Sequence, residues 1–471
     1  MHKQIALYGG NFNPPTHEQR AVVRELIKQD YHVIVVPCGP RSDKPRHNDV
    51  LTADRAVMAD LNFQGLANVT VYLDDLEQDT FTPIADVLQK LGYWGSASVV
   101  IGSDLLVGLG SGTSKVQRYW KEANDLLTEH EIIVLDREND PLSPDDHPLK
   151  HTMVSGWSSL TSADVRAMIF QGHNARQYLY GRVAEYIEHR KLYRGCTPPV
   201  ITDLTVSEPL RAMFVVDERN PRALDFYERL KHLEHKPGQA PNLIITIGGD
   251  GMVQRTVGTH WRLRLPIFGI NAGHRGYLLN EPDRVFDEVT GLLSSNRRLS
   301  CYHLPLLYAE AEMESGKVVS MVGMNDAWIK APGGQGLNID AYFGDHLRFP
   351  ALSCDQLLVS TAAGCTGYAY NLGATLPPIE SQDLILVGAG ADRRRWTGPY
   401  SRSASTIFRF VTADETNGQK RPVDAYCCSK QMNANGDSVR QFIARMSRIA
   451  VCELVFLANS ADDLAAKRSL Y

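Results

Sequence analysis

A chain of 471 residues is too long for one ordinary core, and at about 150 residues per domain it divides into roughly three compact units. Its 49 Lys+Arg against 54 Asp+Glu leave a formal charge of −5, which removes the electrostatic basis for coating DNA or RNA. With 43% hydrophobic and 22% charged residues the composition is globular, and wholesale disorder is excluded.

Residues 4–8 (QIALY) predict a strand, 19–28 a helix, 32–37 (HVIVVP) a strand and 53–61 a helix. Strand patterns continue at 69–73, 98–101 and 131–135, and a helix at 183–191 closes the series. Such alternation implies a parallel sheet with crossover helices, a Rossmann-like α/β domain. Residues 194–205 (RGCTPPVITDLT) read as a linker, because Gly and Pro-Pro sustain neither helix nor central strand. A second α/β series follows, with strands at 212–216 and 242–247 and a helix at 225–233. From about residue 300 short strands with turns (303–309, 317–322, 327–330) predict an antiparallel β-rich subdomain. The expected division is 1–195, a linker at 196–206, and 207–471, the last split near 295/296 into α/β and β-rich parts.

No window approaches the ~20 apolar residues of a membrane helix. The apolar stretch after Met1-His2-Lys3 meets Gly9-Gly10 and Pro14-Pro15 at once, unlike a secretory signal. Eight cysteines, scattered singly apart from Cys427-Cys428 and without a CxxC pair, argue against a zinc site or a disulfide framework. A reduced cytoplasmic protein is expected.

The strand at 4–8 runs into Gly9-Gly10-Asn11-Phe12-Asn13-Pro14-Pro15-Thr16-His17-Glu18-Gln19, with a helix after it. Glycines there let a phosphate reach backbone N–H groups, and the helix start offers more donors. A plain Gly-Pro turn has the same pattern. Residues 160–166 (LTSADVR) combine a capped helix start with Arg166, which suits either a simple N-cap or a clamp on polyphosphate. Gly102-Ser103-Asp104 lies at the end of the strand at 98–101, where α/β sheets bind ligands.

From 1 to about 193 these motifs, with IGSDLL at 101–106, Trp120, VLDR at 134–137 and EYIEHRKLY at 185–193, resemble the nicotinamide/nicotinate mononucleotide adenylyltransferases of the HxGH superfamily. The resemblance implies a nucleotide against Gly9, Gly10 and Phe12, with Thr16 at the first position of the (H/T)xGH signature. It implies Ser162 and Arg166 on the ATP triphosphate, Asp104 on ribose, Trp120 stacked on pyridine, and Arg137 and Lys44 on the mononucleotide phosphate. The reaction is in-line attack on the α-phosphorus of ATP with Mg²⁺, which demands positioning and charge neutralisation. The chain departs from the signature where its last His falls on Gln19 and its Gly on Glu18. A Gln amide donates a hydrogen bond but carries no positive charge.

Farther on, Gly248-Gly249-Asp250-Gly251 follows the strand at 242–247, a pattern that suits either a tight turn carrying a solvated Asp or a site where phosphate has room near backbone while a carboxylate faces a reacting hydroxyl. PIFGINAG at 266–273 and DQLLVSTAAGCTGY at 355–368 repeat the texture of a strand ending in small residues. With GINAGHRGYL at 269–278 and Asn325-Asp326, these resemble NAD kinase from roughly 207 to 471. The resemblance implies Asp250 as general base or orienter of the NAD 2′-hydroxyl. Gly249 and Gly251 then admit phosphates, and Asn271, Asn325, Asp326, Thr361, Thr366 and Tyr368 line the dinucleotide site. Departures are Asp326 for Glu, Cys365 for Ser, Gln356 for Gly, and Arg393-Arg394-Arg395 in a stretch that usually holds Pro and His.

The combined expectation is a bifunctional enzyme that makes NAD from ATP and nicotinamide mononucleotide and then phosphorylates it to NADP. Its partners are these small molecules with Mg²⁺, neither nucleic acid nor membrane, and the kinase analogy implies a homo-oligomer. The alternatives are an NAD kinase with a catalytically weak or nucleotide-sensing front domain, a dinucleotide-responsive interaction protein with two degenerate sites, and a different nucleotidyltransferase fused to a kinase.

Overall fold

The computed structural model describes the chain apart from residues 1–3, 41–49, 139, 159, 207–208, 289–290, 296, 335, 414–420, 434–435 and 458–471. It separates into two compact units, Met1–Pro199 and Val200–Tyr471.

In the first unit six parallel strands, β1 (Gln4–Gly10), β2 (Tyr31–Pro37), β3 (Val69–Val71), β4 (Ser98–Gly102), β5 (Ile132–Arg137) and β6 (His151–Trp157), lie in the order β3-β2-β1-β4-β5-β6. Period-two alternation divides the side chains between two cores. Ile34, Val36, Val99 and Ile101 enter one cluster, and Val33, Val35, Val100 and Ile133 the other. Helices cover both faces, so each central strand is apolar throughout, as parallel sheets require. The edge strand β6 was not evident in the sequence. Only Val154 of its seven residues is buried, so HTMVSGW carries no apolar run.

In the second unit β8 (Ala212–Val216), β9 (Leu243–Gly248) and β10 (Ile267–Asn271) form the parallel part of a larger sheet. The strand β7 (Ile201–Leu204) precedes them and lies inside the span assigned to the linker. It pairs antiparallel with the start of β11 (Leu299–Met313), whose register at Leu299–Tyr302 overrides the local Pro-Pro signal. After β12 (Val318–Gly323), the strands β13 (Asp326–Lys330) and β16 (Gln356–Ser360) pair in one sheet, and β14 (Leu337–Phe343) and β15 (His346–Cys354) pair in another. They are followed by β17 (Leu384–Ala389), β18 (Tyr400–Arg402), β19 (Phe408–Thr412), β20 (Asp424–Cys427), β21 (Lys430–Gln431) and β22 (Val439–Leu457).

One sheet runs β15-β14-β19-β22-β10-β9-β8, with β11 also on β22; the other runs β18-β17-β16-β13-β20-β21. Their facing side chains share one core, including Leu307, Phe410 and Phe442 from the first and Leu357, Val359 and Ala425 from the second. This is a β-sandwich. The split expected near 295/296 does not separate the sheets. The 19-residue β22 pairs antiparallel with β11 and β19, and its far end pairs parallel with β10 at Ile267↔Leu454. Pro305 is accommodated because β11 shifts register between Pro305 and Leu307, a bulge that needs no ladder donor there.

Candidate functional site

Strand β9 is buried along its whole length and delivers Gly248-Gly249 to the start of the helix Asp250–His260. Asp250 is the first helical residue. Its Oδ1 accepts from the Leu278 N–H at 2.8 Å and its Oδ2 from the Tyr277 N–H at 3.0 Å. Both donors belong to the loop after β10, so the GGDG turn and the GINAGHRGYL segment are one construction joined through the carboxylate. Charge-assisted bonds of this kind fix orientation as well as energy.

Asn271 is 4% exposed; its Oδ1 accepts from the Gly273 N–H at 3.0 Å and its Nδ2 lies 3.4 Å from Glu281 Oε1. Through these bonds it braces the loop. The same loop carries Gly276 at φ +66°, where a Cβ would stand 2.5 Å from Asn271 Cγ. Asn280, which the motifs did not single out, secures the end of the loop. Its Nδ2 donates to Gly269 O and Val455 O, and its Oδ1 accepts from the Leu457 N–H.

The Asn325-Asp326 and STAAGCTGY segments meet at the ends of β13 and β16. Thr361 donates its hydroxyl to Met324 O at 2.7 Å, and its N–H bonds Asn325 O at 2.8 Å. At 3% exposure Thr361 braces this junction through its hydroxyl and its N–H. Thr366 is partly buried with its hydroxyl toward Ala363 O, and Tyr368 is exposed with its hydroxyl on Gln356 Oε1 at 2.9 Å. Met324 and Ala363 pack in the same core cluster as Val253 and Val257 of the helix that begins at Asp250. That packing sets this second segment against the GGDG helix.

Asn325 is 4% exposed, and its Oδ1 is a buried acceptor without a hydrogen-bond partner in the protein. Burial, with the neighbouring Cys428, pushes the Asp326 carboxyl up to about 8, so this group is largely uncharged at neutral pH. Gly364 permits the close approach, since a Cβ there would lie 2.3 Å from Asn325 O. Gly364→Ala is expected to destabilise the second unit by ~1–3 kcal/mol through overpacking, read as a lower urea midpoint at unchanged slope.

In the first unit the chain reverses its order across the sheet between β1 and β4, the topological switch point where open α/β sheets bind ligands. Gly9 and Gly10 end β1, and Gly102 ends β4 beside the Asp104–Arg137 ion pair at 3.3 Å. From the helix Ser162–Phe170, Ser162 Oγ donates to Pro14 O at 2.8 Å and Arg166 donates to Asn13 O. The two anion motifs, 148 residues apart at Ser162 and Pro14, are thus one cluster. Arg55, absent from the sequence assignment, donates to Asn11 O, Asn11 Oδ1 and Cys38 O at 2.7–2.9 Å and ties the ends of β1 and β2 together.

Three of the residues expected at the nucleotide, Phe12, Thr16 and Gln19, are engaged within the protein. Phe12 is fully buried at φ +44°, with edge contacts to Tyr8 and Phe63 at centroid separations of 5.4 and 5.8 Å, so its ring is core. Thr16 and Gln19 form a reciprocal capping box. Thr16 Oγ1 accepts from the Gln19 N–H, and Gln19 Oε1 accepts from the Thr16 N–H. The end of the Gln19 side chain thus serves the helix, and the signature's last position supplies no cation. Trp120 is half-buried against the core cluster of Val99 and Ile132. Lys44 lies outside the described residues.

A family model described as the ATP-NAD kinase N-terminal domain matches residues 176–295. The NAD kinase of Cereibacter sphaeroides is 30% identical over 222 residues, covering 46% of this chain and 81% of that protein. The NAD kinase of Rickettsia peacockii is 30% identical over 224 residues, covering 46% and 83%. Among solved structures, yeast NADH kinase complexed with NADH is 15% identical with a TM-score of 0.47, covering 58% of this chain and 90% of that one. None of these relatives carries an adenylyltransferase description. On the strength of the identity to curated relatives and their coverage, the chain belongs to the NAD kinase family.

Proposed function

We propose that this chain transfers the γ-phosphoryl group of ATP to the 2′-hydroxyl of the adenosine ribose of NAD, giving NADP, and that its first unit binds a nucleotide at the β1/β4 switch point. The observation that carries the kinase reading is the Asp250 carboxylate, held on both oxygens by backbone N–H groups at a helix start. So held, it is preorganised to accept a hydrogen bond from the attacking hydroxyl, and orientation is the larger part of its role, because a carboxylate is a weak base at neutral pH. A Cβ at Gly249 or Gly251 would meet nothing within 4 Å, which supports room for phosphate beside backbone. The orphaned Asn325 Oδ1 supports a donor from the dinucleotide. Mg²⁺ enters with ATP and neutralises the triphosphate. The same reading takes the enzyme as a cytoplasmic homo-oligomer. Among the described residues no helix is long and apolar enough to cross a membrane.

The test is NADP formation from NAD, ATP and Mg²⁺ by the full chain. Absence of NADP, with NAD bound and the fold intact, rejects the kinase reading.

For the first unit, Gln19 in its capping box favours a site that binds nucleotide with weak or no turnover. Convergence of Ser162 and Arg166 on the Asn13-Pro14 loop favours the second reading, adenylyl transfer to nicotinamide mononucleotide. Arg166→Ala is expected to weaken ATP binding at this site about 10-fold or more, the loss of one charge-assisted contact of ~1.5–3 kcal/mol, measured by calorimetry on the full chain without NAD, so that no phosphoryl transfer occurs, as the difference between the unaltered protein and the variant. Chromatographic detection of NAD from mononucleotide and ATP, lost in Arg166→Ala, establishes the second reading; ATP binding without that product establishes the first.

A further inference from the structure

The hairpin of β20 and β21 ends in a two-residue turn, Cys428-Ser429, closed by Cys427↔Lys430. Both turn residues hold positive φ, 43° and 66°, a turn that ordinarily takes Asn-Gly. The hairpin tip leans on the segment that leads into β13. The Asn325 N–H donates to Cys428 Sγ at 3.4 Å, and the Cys428 N–H donates to Asp326 O at 2.9 Å. Gly323 packs against both thiols, since a Cβ added there would stand 2.5 Å from Cys428 Sγ and 2.8 Å from Cys427 Sγ. Two sulfurs lie side by side under the backbone of Asn325, and one of them is bonded to it.

We propose that Cys427 and Cys428 form a hydroperoxide-responsive dithiol, whose closure to a vicinal disulfide takes the Cys428 sulfur from the Asn325 N–H and slows the kinase.

Chemistry and position distinguish this pair from the other buried cysteines. The Cys427 thiol and the surrounding N–H groups stabilise a thiolate at Cys428 and draw it down to about 6, although burial works against it, and the thiolate in turn helps keep the facing Asp326 carboxyl protonated. Burial instead raises Cys354 to about 12 and Cys452 further, which leaves those two as inert core thiols. Cys428 is also partly exposed at its turn, whereas Cys301, Cys354, Cys365 and Cys452 are buried.

In the first step the Cys428 thiolate attacks the terminal oxygen of the hydroperoxide. An S–O bond forms as the O–O bond breaks, and the alkoxide leaves as alcohol with the proton that Cys428 had given up. The sulfur is oxidised to sulfenic acid and the peroxide is reduced. In the second step Cys427 sulfur attacks Cys428 sulfur. The S–S bond forms, the S–O bond breaks, and hydroxide leaves as water with the Cys427 proton. Ring closure requires the peptide between the two residues to rotate, and Cys428 cannot then keep both its turn geometry and its contact with Asn325.

The effect on rate rests on the kinase reading; the dithiol chemistry does not. The test treats the full chain with hydrogen peroxide, maps its peptides by mass, and measures NADP formation before and after reduction with dithiothreitol. The expected result is loss of two hydrogens from the peptide holding Cys427 and Cys428 while Cys354 and Cys452 stay reduced. NADP formation should fall several-fold and recover on reduction. Within each protein the ratio of oxidised to reduced rate is compared, so that a lowered starting rate does not matter. Cys428→Ser should bring that ratio to one, and Cys427→Ser should leave Cys428 to over-oxidise without recovery. A reduced peptide after peroxide treatment overturns the dithiol; an oxidised peptide with an unchanged rate overturns its action on the kinase. Absence of kinase activity in the untreated chain is a failure of the parent reading, and the mass shift still reports on the dithiol.

Discussion

Replacing Asp250 by Asn is expected to lower the rate of NADP formation by ~10²–10⁴-fold, the range for loss of a positioned acid-base group, with KM for NAD changed far less. The substitution keeps the size of the side chain and removes its charge. The carboxylate now receives two N–H donors, from Leu278 and Tyr277. An Asn can accept from only one of them, and its NH₂ group must then face the other donor. Leaving that N–H unpaired costs about 1–3 kcal/mol, so the loop after β10 should also loosen. The two effects separate experimentally: amide exchange at Tyr277 and Leu278 reports the loop, and kcat at saturating NAD reports the chemistry. A variant with wild-type kcat would remove Asp250 from the reaction.

Asp54→Ala is expected to destabilise the first unit by ~3–5 kcal/mol, the largest stability effect anticipated in this chain. Asp54 is 2% exposed; its Oδ1 accepts from the Tyr186 hydroxyl at 2.8 Å and lies 3.4 Å from Arg190 Nε. Burial opposes the Arg190 charge, yet Asp54 and Tyr186 outweigh it and leave that guanidinium raised. Removing the carboxylate takes the counter-ion from a buried cation and breaks the bond of the Tyr186 hydroxyl to Asp54. Because Asp54 lies on the helix Thr52–Phe63 and Arg190 directly follows the helix Gly181–His189, the pair joins the first half of the unit to its last helix. Hydrogen exchange should therefore accelerate throughout Gly181–His189 in Asp54→Ala and much less in Asp54→Asn, which keeps an acceptor for Tyr186. Equal protection in all three proteins would mean that the pair contributes nothing net.

Both variants act on residues whose roles were unequally visible in the sequence. Asp250 stands between glycines after an apolar run, and the turn it implies is the turn that forms. What holds it, the main chain of Tyr277 and Leu278, has no side-chain signature. Asp54 reads as one of several charges on a helix until its partner arrives from 136 residues away. Phe12 and Thr16 show the opposite difficulty. Both belong to a recognisable ligand motif, yet one ring fills the core and one hydroxyl caps a helix, because burial and open N–H groups compete for the same side chains.

By itself the sequence determined the elements whose period and end residues are local: the β-branched strands of both parallel sheets, the capped helices, and the glycines at strand ends. These follow from backbone sterics and from alternation of buried faces, which act over a few residues. Only the tertiary structure decided that β22 joins the sandwich to β10, that Ile201–Leu204 is a strand, that Gln19 serves a cap, and that Cys428 sits under Asn325. Each of these is a pairing between distant segments. Its free energy comes from area and hydrogen bonds that exist only once the chain has brought both partners together.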